Sequence, residues 1–297
     1  MTLDIMMPFY GDPAQFRDAV QSVLAQSSDD WRLVIIDDMY PDTAPGAWAA
    51  AIDDARVRYI RNSQNLGVSG NFRRSLELME SEFGIIMGCD DRLLPDFVAS
   101  FERLAAQFPD ASVIQPGVRV IDDDGVVVRP LADRVKGIYR PRVSGARALS
   151  GEALALSLAR GNWAYFPSLI WRAETARSIG FRADLEVALD LELLFRIVEG
   201  GGTIVLDDRV VFEYRRHLGS VSAFTATDGS RFVEERDVLW AAASRFSARG
   251  WPRAAGAAHR YLSSRLNALS ILPRAASTAT SADRRVLTNH ILGRIQR

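Results

Sequence analysis

Six aspartate clusters punctuate this chain: Asp29-Asp30, Asp37-Asp38, Asp53-Asp54, Asp90-Asp91, Asp122 to Asp124 and Asp207-Asp208. Adjacent carboxylates without a nearby Lys or His repel one another unless a cation neutralises them. Hard oxygen ligands of this kind suit Mg2+ or Mn2+ shared with substrate phosphates. They suit turns equally well, where Asp satisfies backbone N–H groups and no chemistry is needed. Context separates some of them. The clusters at 29–30, 53–54 and 122–124 lie in turn-like surroundings. The pairs at 37–38, 90–91 and 207–208 each directly follow an apolar run of strand length, which in open α/β sheets is the ligand edge. Spacing alone does not distinguish a metal pair from a capping pair at these three places.

The elements that must position such pairs are legible from periodicity. Short apolar runs at 3–8, 33–36, 57–60, 83–87 and 112–114 read as strands. Between them, 14–24, 44–52, 71–79 and 97–106 carry apolar residues at three- and four-residue spacing, as crossover helices do. The fold class is therefore α/β, a Rossmann-like and mostly parallel central sheet with flanking helices. Beyond residue 116 the pattern predicts a hairpin of 118–121 and 126–128 around Asp124-Gly125. A helix at 151–159, an apolar segment at 165–171, a helix at 189–198 and strands at 203–206 and 210–214 follow. From Arg231 the chain reads as helical, and the Ser/Thr/Ala-rich stretch 275–282 reads as a loop.

Composition narrows the class. With 297 residues, 48% hydrophobic and 25% charged, the chain has material for a large core. No apolar run approaches the roughly 20 residues of a membrane span, and no basic, cleavable leader follows Met1, so a cytoplasmic location is expected. Cys89 is the lone cysteine, which excludes an intramolecular disulfide and a thiolate zinc site and suits a small buried strand residue. Charge is uneven. From residue 241 onward ten arginines face the single acid Asp283, a net +9 that leaves −10 on the first 240 residues. Interleaved with Trp251, Tyr261, Leu266, Leu269 and Ile271, these arginines either make a peripheral contact with the inner face of a membrane or form a solvated face on packed helices. The acidic remainder argues against nucleic acid as a partner.

Taken together, the motifs resemble family 2 glycosyltransferases, with the A-type glycosyltransferase fold, over residues 1–225. Met6-Met7-Pro8-Phe9-Tyr10-Gly11 is similar to the family's first strand and turn. Val34-Ile35-Ile36-Asp37-Asp38 is similar to its second strand, whose Asp38 position holds the nucleotide base. Arg61-Asn62, Asn65-Leu66-Gly67-Val68 and Asn71 resemble the loop and helix that close over the nucleotide. Gly88-Cys89-Asp90-Asp91 corresponds to the metal motif. Gly88 stands where many members carry the first acid, so the resemblance implies Mg2+ or Mn2+ held weakly, mainly by Asp91, with Asp90 and His217 alongside.

Leu189-Asp190-Leu191-Glu192 resembles the acceptor-side segment whose acid is the general base. Helix geometry agrees, since Leu191, Leu194, Phe195 and Val198 form a buried stripe with Asp190 on its edge. Asp190 equally suits a first-turn cap. Tyr214-Arg215-Arg216-His217-Leu218-Gly219-Ser220 resembles the segment beside the donor diphosphate, which implies phosphate contacts from Arg215 and His217. Trp163, Tyr165 and Trp171 offer stacking faces for an acceptor sugar, with Glu192 as a polar contact, although core packing suits at least one of the rings.

The implied organisation is a nucleotide-binding half at 1–116, an acceptor-binding half at 117–225 and a basic helical extension at 226–297. The implied activity is inverting transfer from a UDP- or dTDP-type sugar to a hydroxyl of a glycan or lipid-linked acceptor. A nucleotidyltransferase fits less well, because residues 6–16 hold only Gly11 and no basic side chain before Arg17. A dinucleotide oxidoreductase lacks its Gly-x-Gly-x-x-Gly turn. A degenerate nucleotide-binding module stays open on the strength of Gly88.

Overall fold

The computed structural model describes residues 1–216, 229–278 and 280–293. Ten strands form one sheet. Its spatial order is β3 (Val57–Arg61), β2 (Trp31–Asp37), β1 (Leu3–Phe9), β4 (Phe83–Ile86), β9 (Ile170–Arg172), β6 (Val113–Ile121), β10 (Ile204–Arg215) and β5 (Arg92–Leu93). β7 (Val127–Val128) pairs with β6, and β8 (Arg147–Leu149) pairs with β10. The first four of these in space are parallel, and their register sets Phe9 opposite Asp37 and Asp37 opposite Arg61, one row across the carboxyl edge.

The other half of the sheet is mixed. β9 runs antiparallel to both β4 and β6, because the chain reaches it from the ligand edge through a 3-10 turn at Phe166–Ser168 and can only run back. The two strands expected at 203–206 and 210–214 are one strand, β10, with register irregularities between Leu206 and Phe212. Asp207-Asp208 therefore lies within a strand and not at a ligand edge. Asp207 pairs with Arg103, and Asp208 accepts a bond of 3.0 Å from the Gly145 N–H.

Period-two alternation divides the strands between two cores. On one face Ile5, Met7, Leu33 and Ile35 meet Phe16, Val20 and Val23 of α1 (Pro13–Leu24) and Phe97, Phe101 and Leu104 of α4 (Phe97–Gln107), with α2 (Ala44–Ala50) at the side. α1 starts sharply because the Asp12 carboxylate accepts from the N–H groups of Ala14 and Gln15 and Pro13 occupies the first turn. On the other face Met6, Val34, Ile36 and Ile86 meet α3 (Gly67–Leu78), α6 (Gly151–Arg160), α7 (Ala173–Ile179) and α8 (Leu189–Glu199). That core also takes in Val238, Ala242 and Phe246 of α9 (Ser230–Ala248) and Ala254 and Ala258 of α10 (Pro252–Arg260). The Phe195 and Phe246 rings meet edge-on at 5.3 Å, so the start of the C-terminal extension is part of the main core.

α5 (Leu131–Tyr139) buries no residue fully. In the stretch 275–282, expected as a loop, α11 (Leu262–Thr278) continues to Thr278 and α12 (Ser281–Leu292) begins at Ser281. The Thr280–Asp283 capping box starts the new helix at once. Among the described residues no helix is long and apolar enough to cross a membrane.

Candidate active site

At the carboxyl edge of β2, Asp37 is fully buried. Its Oδ1 accepts from the Tyr40 N–H at 2.8 Å, and its Oδ2 accepts from Tyr59 Oη at 2.5 Å and Arg61 Nη1 at 2.6 Å. Met39, at φ 62, makes the reversal that brings Tyr40 back onto Asp37. Tyr10, 54% exposed at the end of β1, meets the Tyr40 ring edge-on at 5.5 Å. Asp38 Oδ1 accepts from Asn62 Nδ2 at 2.7 Å and the Leu66 N–H at 2.8 Å, and its carbonyl accepts from Asn65 Nδ2 at 3.0 Å. Asn65 in turn accepts from the N–H of Gly67, whose φ of 68 favours glycine. Asn71 is buried and donates to the Ile36 carbonyl at 3.1 Å. Asp38, Arg61, Asn65, Gly67 and Asn71 are thus brought together, next to Pro8 and Tyr10. Asn62 and Asn71 serve as scaffold, tying the 62–67 loop to the end of β2.

The turn after β4 carries the acidic pair. Asp91 is 1% exposed. Its Oδ1 accepts from the Arg215 N–H at 2.8 Å, while its Oδ2 is buried and accepts no hydrogen bond among the described residues. A Cβ on Gly88 would lie 2.6 Å from Asp91 Oδ2 and 2.7 Å from Asp90 Oδ1, so both carboxylates converge on space that only glycine leaves open. Burial, and then the neighbouring Asp90 charge, push the Asp91 carboxyl well above the usual carboxylate range. A buried, unpartnered oxygen facing a second carboxylate is costly unless a cation sits there, and two hard oxygens fit Mg2+ or Mn2+. No group of three or more His, Cys, Asp or Glu side chains is assembled among the described residues. His217 lies outside the described residues. Cys89 packs beside Gly11, and burial followed by Asp90 pushes its thiol up to about 12, which suits an inert packing role.

Arg215 frames this turn from below. Its Nε donates to the Asp90 carbonyl at 2.7 Å, and its Nη1 donates to the Asp122 and Asp123 carbonyls at 2.9 and 2.8 Å. With 3% of the residue exposed, the guanidinium holds two turns together, and its Nη2 is buried without a hydrogen-bond partner among the described residues, 3.9 Å from Asp18.

Across the cleft, Asp190 opens α8 at 7% exposure. Its Oδ2 accepts from Asn162 Nδ2 at 3.3 Å and its Oδ1 from the Leu191 N–H at 2.7 Å. Burial raises its carboxyl above the usual range, opposed by the Leu191 N–H, by the charge of Lys136, by Asn162 and by Arg231. Lys136, on α5, donates to the Ala164 carbonyl at 2.7 Å and stands 4.4 Å from the Tyr165 ring, and burial lowers it to about 8. Tyr165 Oη and Arg216 Nη2 both donate to Asp133 Oδ1, at 3.0 and 2.8 Å. The Tyr165 and Tyr214 rings lie 5.4 Å apart. Burial, then the Asp91 charge, push Tyr214 up to about 12, so Tyr214 sits between the acidic pair and this network.

Asp190 depends on a further helix. Its own helix is preceded by Ala188, which has no capping side chain. Glu234 of α9 supplies one from across the fold, accepting from the N–H groups of Glu186, Val187 and Ala188 at 3.0, 2.7 and 2.6 Å. A carboxylate at a helix N-terminus satisfies orphan donors and complements the macrodipole.

With this geometry in place, comparison with known proteins is decisive. Residues 4–165 match Glycosyl transferase family 2. The chain belongs to this family. An uncharacterised protein of Mycobacterium tuberculosis is 26% identical over 203 residues, 66% of this chain and 61% of that protein. The succinoglycan biosynthesis protein ExoO of Rhizobium meliloti is 24% identical over 212 residues, 71% of this chain and 59% of that protein. The chain thus spans about three fifths of these two relatives' length. Among solved structures, S. aureus TarS in complex with UDP-GlcNAc superposes with a TM-score of 0.64 at 13% identity, covering 100% of this chain and 93% of that one. The mannosyltransferase PcManGT from Pyrobaculum calidifontis, in complex with GDP-Man and Mn2+, gives 0.61 at 15% identity, covering 97% and 78%. Identities this low show the fold alone, the A-type glycosyltransferase fold.

For this family 2 chain, three acceptor candidates are corrected by burial. Trp163 is fully enclosed and donates to Ser157 Oγ at 3.2 Å, which leaves no face for a sugar. Trp171 is equally enclosed. Glu192, 3% exposed, lies 3.9 Å from Arg245 of α9, inside the helix packing. Tyr165 does join the cleft network. Sequence reasoning passed over Asp133, Lys136, Asn162, Arg216 and Glu234. One signal was available: Lys136 is the chain's single lysine among 36 basic residues, and a buried lysine differs from arginine in being able to shed its proton.

Proposed function

We propose that this chain is an inverting glycosyltransferase that moves a sugar from a nucleotide-sugar of the UDP or dTDP type to a hydroxyl of a glycan or lipid-linked acceptor, in glycan, polysaccharide or glycolipid synthesis. The observation that carries the reading is the convergence of Asp90 Oδ1 and the unpartnered Asp91 Oδ2 over Gly88. Asp91, with Asp90 alongside, would hold Mg2+ or Mn2+ there, and the ion would supply positive charge for the diphosphate leaving group. The wall of Pro8, Tyr10, Asp38, Arg61, Asn65 and Gly67, backed by Asn71, receives the nucleoside, with Asp38 accepting from the base and Tyr10 packing beside it. Asp190 takes the proton from the acceptor hydroxyl as that oxygen attacks the anomeric carbon from the side opposite the diphosphate, which inverts the centre. Burial keeps its proton affinity high enough for that role. Arg215 positions the acidic turn. His217 belongs to the reading through family resemblance.

The named ligands of the two solved neighbours, UDP-GlcNAc and GDP-Man with Mn2+, support a nucleoside-diphosphate sugar as the donor class. The name of the ExoO relative supports polysaccharide synthesis. The division of labour follows residues 1–116 for the nucleotide and 117–225 for the acceptor, with the extension at 226–297 contributing Glu234. A peripheral membrane contact through the extension fits Leu262, Leu266 and Leu269, which are 57%, 52% and 50% exposed along α11.

Donor hydrolysis screened across nucleotide-sugars, with and without Mn2+, tests the reading. Metal-stimulated hydrolysis of one donor class is expected. Mn2+-dependent nucleotide binding with no turnover on any donor would return the chain to a binding module.

A further inference from the structure

Ser69 lies in the first turn of α3, just past the loop whose Leu66 N–H bonds Asp38 and whose Asn65 accepts from the Gly67 N–H. A buried serine in a helix commonly bonds back to a carbonyl of its own helix, as Ser75 Oγ does to Asn71 at 2.8 Å. Ser69, 2% exposed, reaches outward instead. Its hydroxyl donates at 2.9 Å to the carbonyl of Leu185, 116 residues along the chain. Arg73 Nη1 donates to the same Oγ at 2.8 Å. A hydroxyl has one hydrogen to give, so Arg73 takes an acceptor position and the hydrogen stays aimed at Leu185. Phe72, on the same face of α3 at a three-residue step, adds a second tie, with its ring 6.4 Å from that of Phe181.

These ties hold the approach to Asp190. Residues 185–188 lead straight into α8 and are gripped from two sides. α3 takes the Leu185 carbonyl, and Glu234 of α9 takes the N–H groups of Glu186, Val187 and Ala188. The second grip belongs to the C-terminal extension. The first belongs to the nucleotide wall. We infer that Ser69 is a positioning residue that couples the two walls: a nucleotide that orders residues 65–67 also fixes 185–188, and with them Asp190. The inference rests on the glycosyltransferase reading for what lies at each end. A short segment opens locally when it loses one of its few anchors, and removing the Ser69 hydroxyl leaves the Leu185 carbonyl buried without its partner.

Amide hydrogen exchange of the full chain, with and without saturating UDP or dTDP and Mn2+, tests the coupling. In the unaltered chain the nucleotide should slow exchange at 65–70 and, about threefold or more, at 186–191. In Ser69→Ala the slowing at 65–70 should persist while that at 186–191 is lost. Donor-hydrolysis kcat should fall about tenfold with nucleotide Kd unchanged, and Ser69→Thr, which keeps the hydroxyl, should restore both readouts. A serine that served packing alone would lower thermal stability without separating the two segments. Slowing confined to 65–70 in the unaltered chain would overturn the inference even if Ser69→Ala did not fold, and so would a Ser69→Ala protein that keeps the slowing at 186–191. Absence of slowing at both segments would overturn the glycosyltransferase reading and the inference together.

Discussion

The two walls of the cleft are built on different principles. On the nucleotide wall Asp37 finds its partners at Tyr40, Tyr59 and Arg61, and Asp38 finds its own at Asn62 and Leu66. All of these sit on neighbouring parallel strands or the loops that follow them. On the acceptor wall Asp133 is held by Tyr165 and by Arg216, 83 residues away, Asp190 by Asn162, 28 away, and the start of α8 by Glu234, 48 residues from Glu186. One wall is set by local turn chemistry. The other exists only once α5, α8, α9 and β10 have packed, and it concentrates buried charge at that junction. Under the proposed function, the nucleotide would meet the local wall and the acceptor the assembled one.

The sharpest way to separate the walls is Asp91→Asn. This isosteric change removes one charge from the convergent pair, and metal-stimulated donor hydrolysis should fall about a thousandfold. Retention within a few-fold would move the donor site elsewhere. Lys136→Met acts only on the other wall. Turnover should fall about tenfold with nucleotide Kd unchanged. Because the lysine charge lowers the Asp190 pKa, its removal should shift the acidic limb of the kcat profile to higher pH, and Lys136→Arg should restore it. Glu234→Gln should cost turnover about fivefold and stability about 1 kcal/mol, because the 186–188 N–H groups keep an acceptor but lose its charge. An unchanged kcat in that variant would make the extension packing alone.

Asp4 lies outside both walls and serves as the control. Burial alone would raise its carboxyl, but Arg32 and the N–H groups of Ser81 and Glu80 hold it below the usual range. Its contribution is therefore present near neutral pH and lost as pH falls below about 4. Asp4→Asn should cost about 2 kcal/mol in chemical denaturation at pH 7, flatten that acid dependence and leave activity per folded molecule intact.

The same contrast explains what the sequence made legible. Strands of the parallel half, their crossover helices and the pairs at 37–38 and 90–91 stand out because each is a contiguous run with one period. Asp207-Asp208 misled for a related reason. A bulge within β10 looks like a strand end when only residue types are visible. Trp163 and Glu192 misled because aromatic and acidic side chains near a cleft motif carry no mark of which face they occupy. Asn162, Arg216 and Glu234 have no local signature at all, since their roles come from partners far along the chain.

If the two walls serve one transfer, Asp190 is its base. Asp190→Asn, assayed for transfer and for Mn2+-dependent nucleotide binding on the same preparation, tests it most directly. Transfer should fall at least about a hundredfold with nucleotide affinity unchanged. Transfer at the unaltered rate would contradict it.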